Sequence, residues 1–222
     1  LNEVRMYSRK GYDRTASLTR LNLGNEYLDN ITEDVIFRSP GIRPDAGSIP
    51  DAVKNGSLLT SEMECFLDIT PAYVIAVTGS DGKTTTTTLI YKLLSEELCG
   101  TDRNVYVGGN IGKPLLCEAR NMKEGDFAVV ELSSFQLMRV SRSPFAVAIT
   151  NLSQNHLDWH KGFEEYISAK KNAIGKDTKR VVLNADCDVT RAIAEEIATE
   201  RPDIELFVFS SKKNSYAETG GA

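Results

Sequence analysis

The residues best suited to chemistry lie in Val74–Leu89, VIAVTGSDGKTTTTTL. Gly79-Ser80-Asp81-Gly82 permits a tight turn with backbone close to a ligand, and Lys83, Thr84 and Thr85 follow at once. A turn of this kind at a helix start gathers outward N–H groups, a lysine charge and a hydroxyl able to ligate Mg²⁺, which is phosphate-binding chemistry. A full Walker A pattern needs glycine at position 77, where this chain has Val77, so the loop is the shorter G-x-x-G-K-T form. A chance glycine turn before an ordinary helix is the competing reading. Context favours phosphate. Val74-Ile75-Ala76-Val77 reads as a buried parallel strand, and Leu89, Leu93, Leu94 and Leu98 recur at helical spacing.

Four further segments fall where parallel strands would end, the place where such sheets gather ligands. Gly108-Gly109-Asn110-Ile111-Gly112 suits close backbone approach, with the Asn110 amide as a polar contact or as part of a simple turn. Glu131 closes the apolar run Phe127-Ala128-Val129-Val130. A carboxylate there can hold Mg²⁺ beside a phosphate or make an ordinary surface ion pair. Asn151 to Asp158 clusters amides, His156 and a carboxylate. A metal, substrate positioning or a structural histidine all fit that cluster. Tyr166 and Lys170 share a helix face, and by themselves Lys170 and Lys171 read as a solvated face.

The elements needed to position these residues alternate. Strands are expected at 73–78, 104–107, 127–132, 145–150, 180–184 and 206–209, and helices at 83–98, 112–120, 163–175 and 188–200. That alternation predicts an α/β fold, with a mostly parallel sheet flanked by helices around a P-loop-type core. Upstream, 34–37 reads as a strand entering the turn Ser39-Pro40-Gly41, 45–56 as a short helix, and Thr60 to Leu67 as another. Residues 1–34 read as a solvated or partly disordered start, Pro71 marks a boundary, and 210–222 reads as a frayed end or link.

With 222 residues the chain allows one or two domains, and a net charge of −5 excludes a broad nucleic-acid-binding surface. No apolar run approaches the roughly 20 residues of a membrane span. No signal-peptide pattern is seen, and a start at Leu1 rather than Met leads us to expect that the true N-terminus lies upstream. Cys65, Cys99, Cys117 and Cys187 are scattered, as reduced thiols would be, and with only His156 and His160 a His-rich zinc site is not expected. No Ser-His-Asp or Cys-His pattern is recognised.

Taken together, G-S-D-G-K-T-T (79–85), G-G-N-I-G (108–112), E-L-S-S-F-Q-L (131–137), N-H-L-D (155–158) and Y-I-S-A-K (166–170) resemble the ATP-dependent Mur ligases of peptidoglycan synthesis. Order and spacing agree over about residues 34–215. The string E-L-S-S-F-Q-L discriminates within the family, and implies the member that joins D-glutamate to UDP-N-acetylmuramoyl-L-alanine. The resemblance implies three domains. Residues 1–70 would be the end of a Rossmann-like, UDP-binding first domain and 71–222 the central ATP-binding domain, without the third. The isolated chain is then expected to lack ligase activity.

Carried over by position, the resemblance implies that Gly79, Ser80, Asp81, Gly82, Lys83, Thr84 and Thr85 hold ATP. Thr84 and Glu131 would ligate one Mg²⁺; His156 and a carbamylated Lys170 would hold a second metal. Asn110, Ser133 and Asn155 would contact the muramoyl substrate, and Ser39, Pro40 and Gly41 its diphosphate end. Asn155 and Asp81 depart from residues common in relatives. The implied reaction is attack of the substrate carboxylate on the γ-phosphate, then amide formation through an acyl phosphate. A monomeric cytoplasmic enzyme is expected. Another Mur ligase, or a nucleotide-binding fragment without turnover, is the alternative.

Overall fold

The computed structural model describes residues 4–8, 19–140, 142–155 and 158–212. They form β1 (Val4–Ser8), β2 (Thr19–Leu23), β3 (Val35–Phe37), α1 (Ile49–Lys54), β4 (Leu58–Thr60), α2 (Glu62–Ile69), β5 (Tyr73–Thr78), α3 (Lys83–Glu97), β6 (Val105–Gly109), β7 (Phe127–Glu131), α4 (Ser134–Leu137), β8 (Ala146–Ile149), α5 (Phe163–Lys171), β9 (Arg180–Asn184), α6 (Asp188–Glu200) and β10 (Glu205–Phe209). The chain divides into two compact units, Leu1–Glu62 and Met63–Ala222.

In the smaller unit, β1 pairs with β2 in parallel, in register from Val4 against Thr19 to Ser8 against Leu23. The expectation of a solvated or partly disordered start is therefore corrected for these residues. Short-period alternation, Val4 and Met6 in one run and Thr19, Leu21 and Leu23 in the other, is the signal that the basic composition hid. β3 and β4 are also parallel, joined through α1. Ile31, Ile49, Ala52 and Leu59 form the core of this unit. Pro50 sits in the first turn of α1, where a missing N–H costs the helix nothing.

In the larger unit six parallel strands run in the order β10-β9-β8-β5-β7-β6. Ala76, Val77, Ala128, Val129 and Val130 are fully buried, as expected for a parallel sheet covered on both faces. The helix α2 packs into this core through Met63, Phe66 and Leu67. Burying one such side chain contributes about 1.5–3 kcal/mol relative to leaving it in water.

From β5 the chain runs to the edge strand β6, returns to β7, then crosses to β8 on the other side of β5. Strand order reverses around β5, which makes the carboxyl ends of β5, β7 and β8 the switch point where open α/β sheets bind ligands.

Two local expectations fail. No α-helix spans 112–120; this stretch makes turns and a single 3-10 turn at Ala119–Asn121. Pro114 forces the preceding residue towards an extended conformation, and Lys113 bridges to Gly108 accordingly. The apolar positions still point inward, with Leu115 and Ala119 buried. In α3 the spacing was right for a helix, yet Leu89 and Leu93 are exposed, and the buried position is Thr87.

Candidate active site

The turn between β5 and α3 is held in a conformation that L side chains rarely adopt. Gly79 has φ 141°, and a Cβ there would lie 2.0 Å from Thr150 Oγ1. Gly82, at φ 77°, is the N-cap of α3. The end of β8 pins the turn. Thr150 Oγ1 donates to the Asp81 carbonyl at 2.6 Å, and the Asp81 N–H donates to Asn151 Oδ1 at 3.0 Å. Lys83 Nζ donates across the turn to the Ser80 carbonyl at 2.9 Å.

Ser80 Oγ ties the turn to the next loop and to α5. It donates to the Ser153 carbonyl at 3.0 Å, accepts from the Ser153 N–H at 2.9 Å and lies 2.9 Å from the Tyr166 hydroxyl. With its own proton committed to Ser153, Ser80 accepts from Tyr166. Burial raises the Tyr166 pKa, outweighing the lowering effect of its contact with Ser80, so the phenol keeps that proton.

At the end of β7, Glu131 is buried between two donors. Its Oε2 accepts from Thr84 Oγ1 at 2.7 Å and its Oε1 from Asn110 Nδ2 at 2.9 Å. The Asn110 N–H also donates to the Glu131 carbonyl at 2.8 Å, fixing the turn after β6. A hydroxyl and a carboxylate at this distance form a hard-oxygen pair that fits Mg²⁺. No group of three or more His, Cys, Asp and Glu residues suited to a metal occurs among the described residues. A cation here would take its remaining ligands from phosphate and water.

Lys170, 2% exposed, turns inward from α5 rather than lying on a solvated face. Its Nζ donates to Thr78 Oγ1 at 3.1 Å, and that hydroxyl donates to the Leu132 carbonyl at 2.7 Å. The ammonium sits 5.0 Å from the Tyr166 ring centroid. Burial first, then the Lys83 charge, lowers its pKa from 10.5 to about 7, against the pull of Glu131. The neighbouring Lys171 is the surface residue, paired with Glu196 at 2.6 Å.

Lys83, Asn110, Ser133 and Lys170 meet around one cavity of about 250 Å³, which Ser134, Phe135 and Tyr166 complete. Thr84 and Glu131 lie against it through Asn110 and the start of α3. Ser133 is also the N-cap of α4. Its hydroxyl and N–H both engage the Gln136 side chain, and the Gln136 N–H donates back at 3.3 Å. Asn155 is half-buried in the loop after β8 and Thr85 is exposed on α3. His156 lies outside the described residues. Ser39, Pro40 and Gly41 lie in the smaller unit, where buried Arg38 donates through Nη1 to the carbonyls of Ser39, Pro40 and Ile42.

The family model described as the Mur ligase middle domain matches residues 77–220. The chain belongs to this family. It is 48% identical over 202 residues to a Ruminiclostridium cellulolyticum protein named UDP-N-acetylmuramoylalanine–D-glutamate ligase, covering 90% of this chain and 41% of that relative. A protein of the same name from Acetivibrio thermocellus is 49% identical over 180 residues, covering 80% of this chain and 38% of the relative. The chain thus spans about two fifths of the length of the curated relatives it matches. A solved UDP-N-acetylmuramoyl-L-alanyl-D-glutamate–2,6-diaminopimelate ligase has a TM-score of 0.54 at 21% identity, over 75% of this chain and 43% of that one. That likeness shows the α/β fold.

In this Mur ligase middle domain, sequence reading singled out Asn151 and Tyr166 but not what they hold, and it gave no task to Thr150 or Thr78. Thr150 and Asn151 buttress the phosphate loop, Tyr166 anchors Ser80, and Thr78 receives Lys170. A serine–histidine–carboxylate group, not recognised in the sequence, is also present. His160 Nε2 lies 2.8 Å from Ser134 Oγ, and Nδ1 lies 3.2 Å from Glu165 Oε2. The available signal was Ser134 beside Ser133 at a strand end and Glu165 in the first turn of a helix. Spacing alone could not bring residue 134 to residue 160.

Proposed function

We propose that the larger unit is the ATP-binding, carboxylate-activating domain of a ligase that joins D-glutamate to UDP-N-acetylmuramoyl-L-alanine in peptidoglycan synthesis. The observation that carries this reading is the convergence of Lys83, the Thr84–Glu131 pair and Lys170 on one crevice. The shared name of the similar bacterial proteins supports the choice of substrates. The smaller unit would be the end of a uridine-nucleotide-binding domain, with Ser39-Pro40-Gly41 at the diphosphate. No helix among the described residues is long and apolar enough to cross a membrane, and we place the enzyme in the cytoplasm as a monomer.

Each step assigns work to residues of this chain. The N–H groups of 79–85 and the Lys83 ammonium bind the ATP phosphates and offset charge on the transferring group. The Thr84–Glu131 pair would hold Mg²⁺, which when bound neutralises charge on the phosphate oxygens. The substrate carboxylate displaces ADP to give an acyl phosphate, and the D-glutamate amine displaces phosphate. Asn110, Ser133 and Asn155 orient the muramoyl end. Lys170, neutral in part near pH 7, is able to add CO₂ at Nζ with loss of a proton. The resulting carbamate, with His156, would hold a second cation. A carbamate signal on ¹³C-bicarbonate labelling, absent in Lys170→Ala, is the expected readout.

The deciding experiment measures ADP release by the full-length gene product. Dependence on both UDP-N-acetylmuramoyl-L-alanine and D-glutamate is expected, with L-alanine and L-lysine failing to substitute. Release that needs neither substrate would instead favour a nucleotide-binding switch, and release with L-lysine another ligase of the family.

A further inference from the structure

The phosphoryl-transfer chemistry leaves Ser134, His160 and Glu165 without a task. Ser134 opens α4 on the cavity wall, His160 precedes α5, and Glu165 lies in its first turn. Ser134 and His160 are buried, at 2% and 4% exposure. Ring centroids of Trp159, Tyr166 and Phe135 enclose the imidazole at 4.8, 5.4 and 5.8 Å. The Lys161 N–H donates to Glu165 Oε2 at 2.9 Å and fixes the carboxylate.

The direction of this relay follows from what each group can do. A carboxylate only accepts, so His160 Nδ1 carries the proton facing Glu165, 3.2 Å away. Nε2 is then the acceptor, and Ser134 donates its hydroxyl proton to it at 2.8 Å. Ser134 lines the cavity, and an Oγ that donates its one proton to His160 keeps lone pairs able to accept an N–H. Lys83 lines the same cavity, so its charge disfavours an incoming ammonium, and the nucleophile reacts as the free amine.

We propose that Ser134, His160 and Glu165 form the proton-accepting relay for the amine that makes the new amide; this rests on the ligase reading above. The ammonium loses one proton to solvent on entry. As the amine nitrogen bonds to the acyl carbon, the bond to phosphate breaks and its electron pair leaves with phosphate. One N–H proton passes to Ser134 Oγ while the Ser134 proton passes to His160 Nε2, and the Glu165 carboxylate stabilises the imidazolium. Ser134 is the catalytic residue; His160 and Glu165 are positioning residues that act through it.

The test uses the full-length gene product with ATP and UDP-N-acetylmuramoyl-L-alanine. The acyl phosphate is challenged either with D-glutamate or with hydroxylamine, whose weakly basic nitrogen gives an addition species acidic enough to lose its N–H proton to water without a positioned base. In His160→Gln and Ser134→Ala, the ratio of D-glutamate product to hydroxamate falls on the order of 10²-fold against wild type. The deficit narrows as pH rises and solvent base takes over removal of the N–H proton. A ratio unchanged in both variants overturns the relay, and so does an equal loss with both nucleophiles, which marks a structural role only. If His160→Gln does not fold, Ser134→Ala decides, because it leaves the His160–Glu165 pair in place. Absence of hydroxamate from the wild-type enzyme overturns the ligase reading itself, a failure distinct from that of the relay.

Discussion

The two walls of the cavity place charged groups by different means. On the loop wall, Gly79, Gly82, Lys83 and Thr84 are near neighbours in sequence, set by one strand end and one turn. Lys83 is half-buried and Thr84 exposed, so this wall exchanges readily with water and ligand. On the helix wall, Ser134, His160, Tyr166 and Lys170 come from α4, α5 and the loop before α5. They are held by aromatic packing, and each is at least nine-tenths buried. The difference teaches what each wall can do. A wet, locally determined turn supplies permanent charge to an anion. A dry, packed surface moves protonation, as the lowered pKa of Lys170 shows.

The largest test of this contrast is Lys83→Ala in the full-length gene product. ADP release is expected to fall on the order of 10²–10³-fold, the scale of losing a preorganised charge at a transferring group. A residual rate near wild type would remove the loop wall from the chemistry. Gly79→Ala comes next. Its Cβ would meet a Thr150 hydroxyl already bonded to the Thr78 and Asp81 carbonyls. Strain of about 1–3 kcal/mol should appear as a lower urea midpoint together with lost nucleotide binding.

The helix wall is read through pH. The folded pKa of Lys170, about 7, lies below its ordinary 10.5. Between those values the unfolded chain binds a proton that the folded chain does not, so stability rises with pH across that window. Denaturant midpoints in CO₂-free buffer should rise from pH 7 to pH 10, and Lys170→Met should lose this share of the rise. A slope identical in the variant would mean that Lys170 is not dry. The smallest effect belongs to Lys171→Ala. Its partly exposed pair with Glu196 should be worth under about 1 kcal/mol by thermal melting.

The same contrast explains what the sequence could reveal. β5, β7, β9 and α3 announce themselves by apolar runs and helical spacing, and Lys83, Asn110, Ser133 and Lys170 do meet at one cavity. What failed was decided at long range or by single residues. Lys170 and Lys171 are indistinguishable by composition, and only the register of α5 against Thr78 turns one inward. Pro114 broke an expected helix. The three-residue strand β4 is too short for a periodicity to be distinctive. The Ser134–His160 contact depends on how α4 and α5 pack, which no local pattern encodes.

The interior position of β5 has a consequence for how the protein opens. Its amides are bonded on both sides, to β7 and to β8, so the strand feeding the phosphate loop exchanges its hydrogens only when the whole sheet comes apart. α4, four residues long, is held instead by side chains, through the Ser133–Gln136 capping box and the Asn172 amide donating to the Leu137 carbonyl. The anion site is thus rooted in the part of the sheet that opens last.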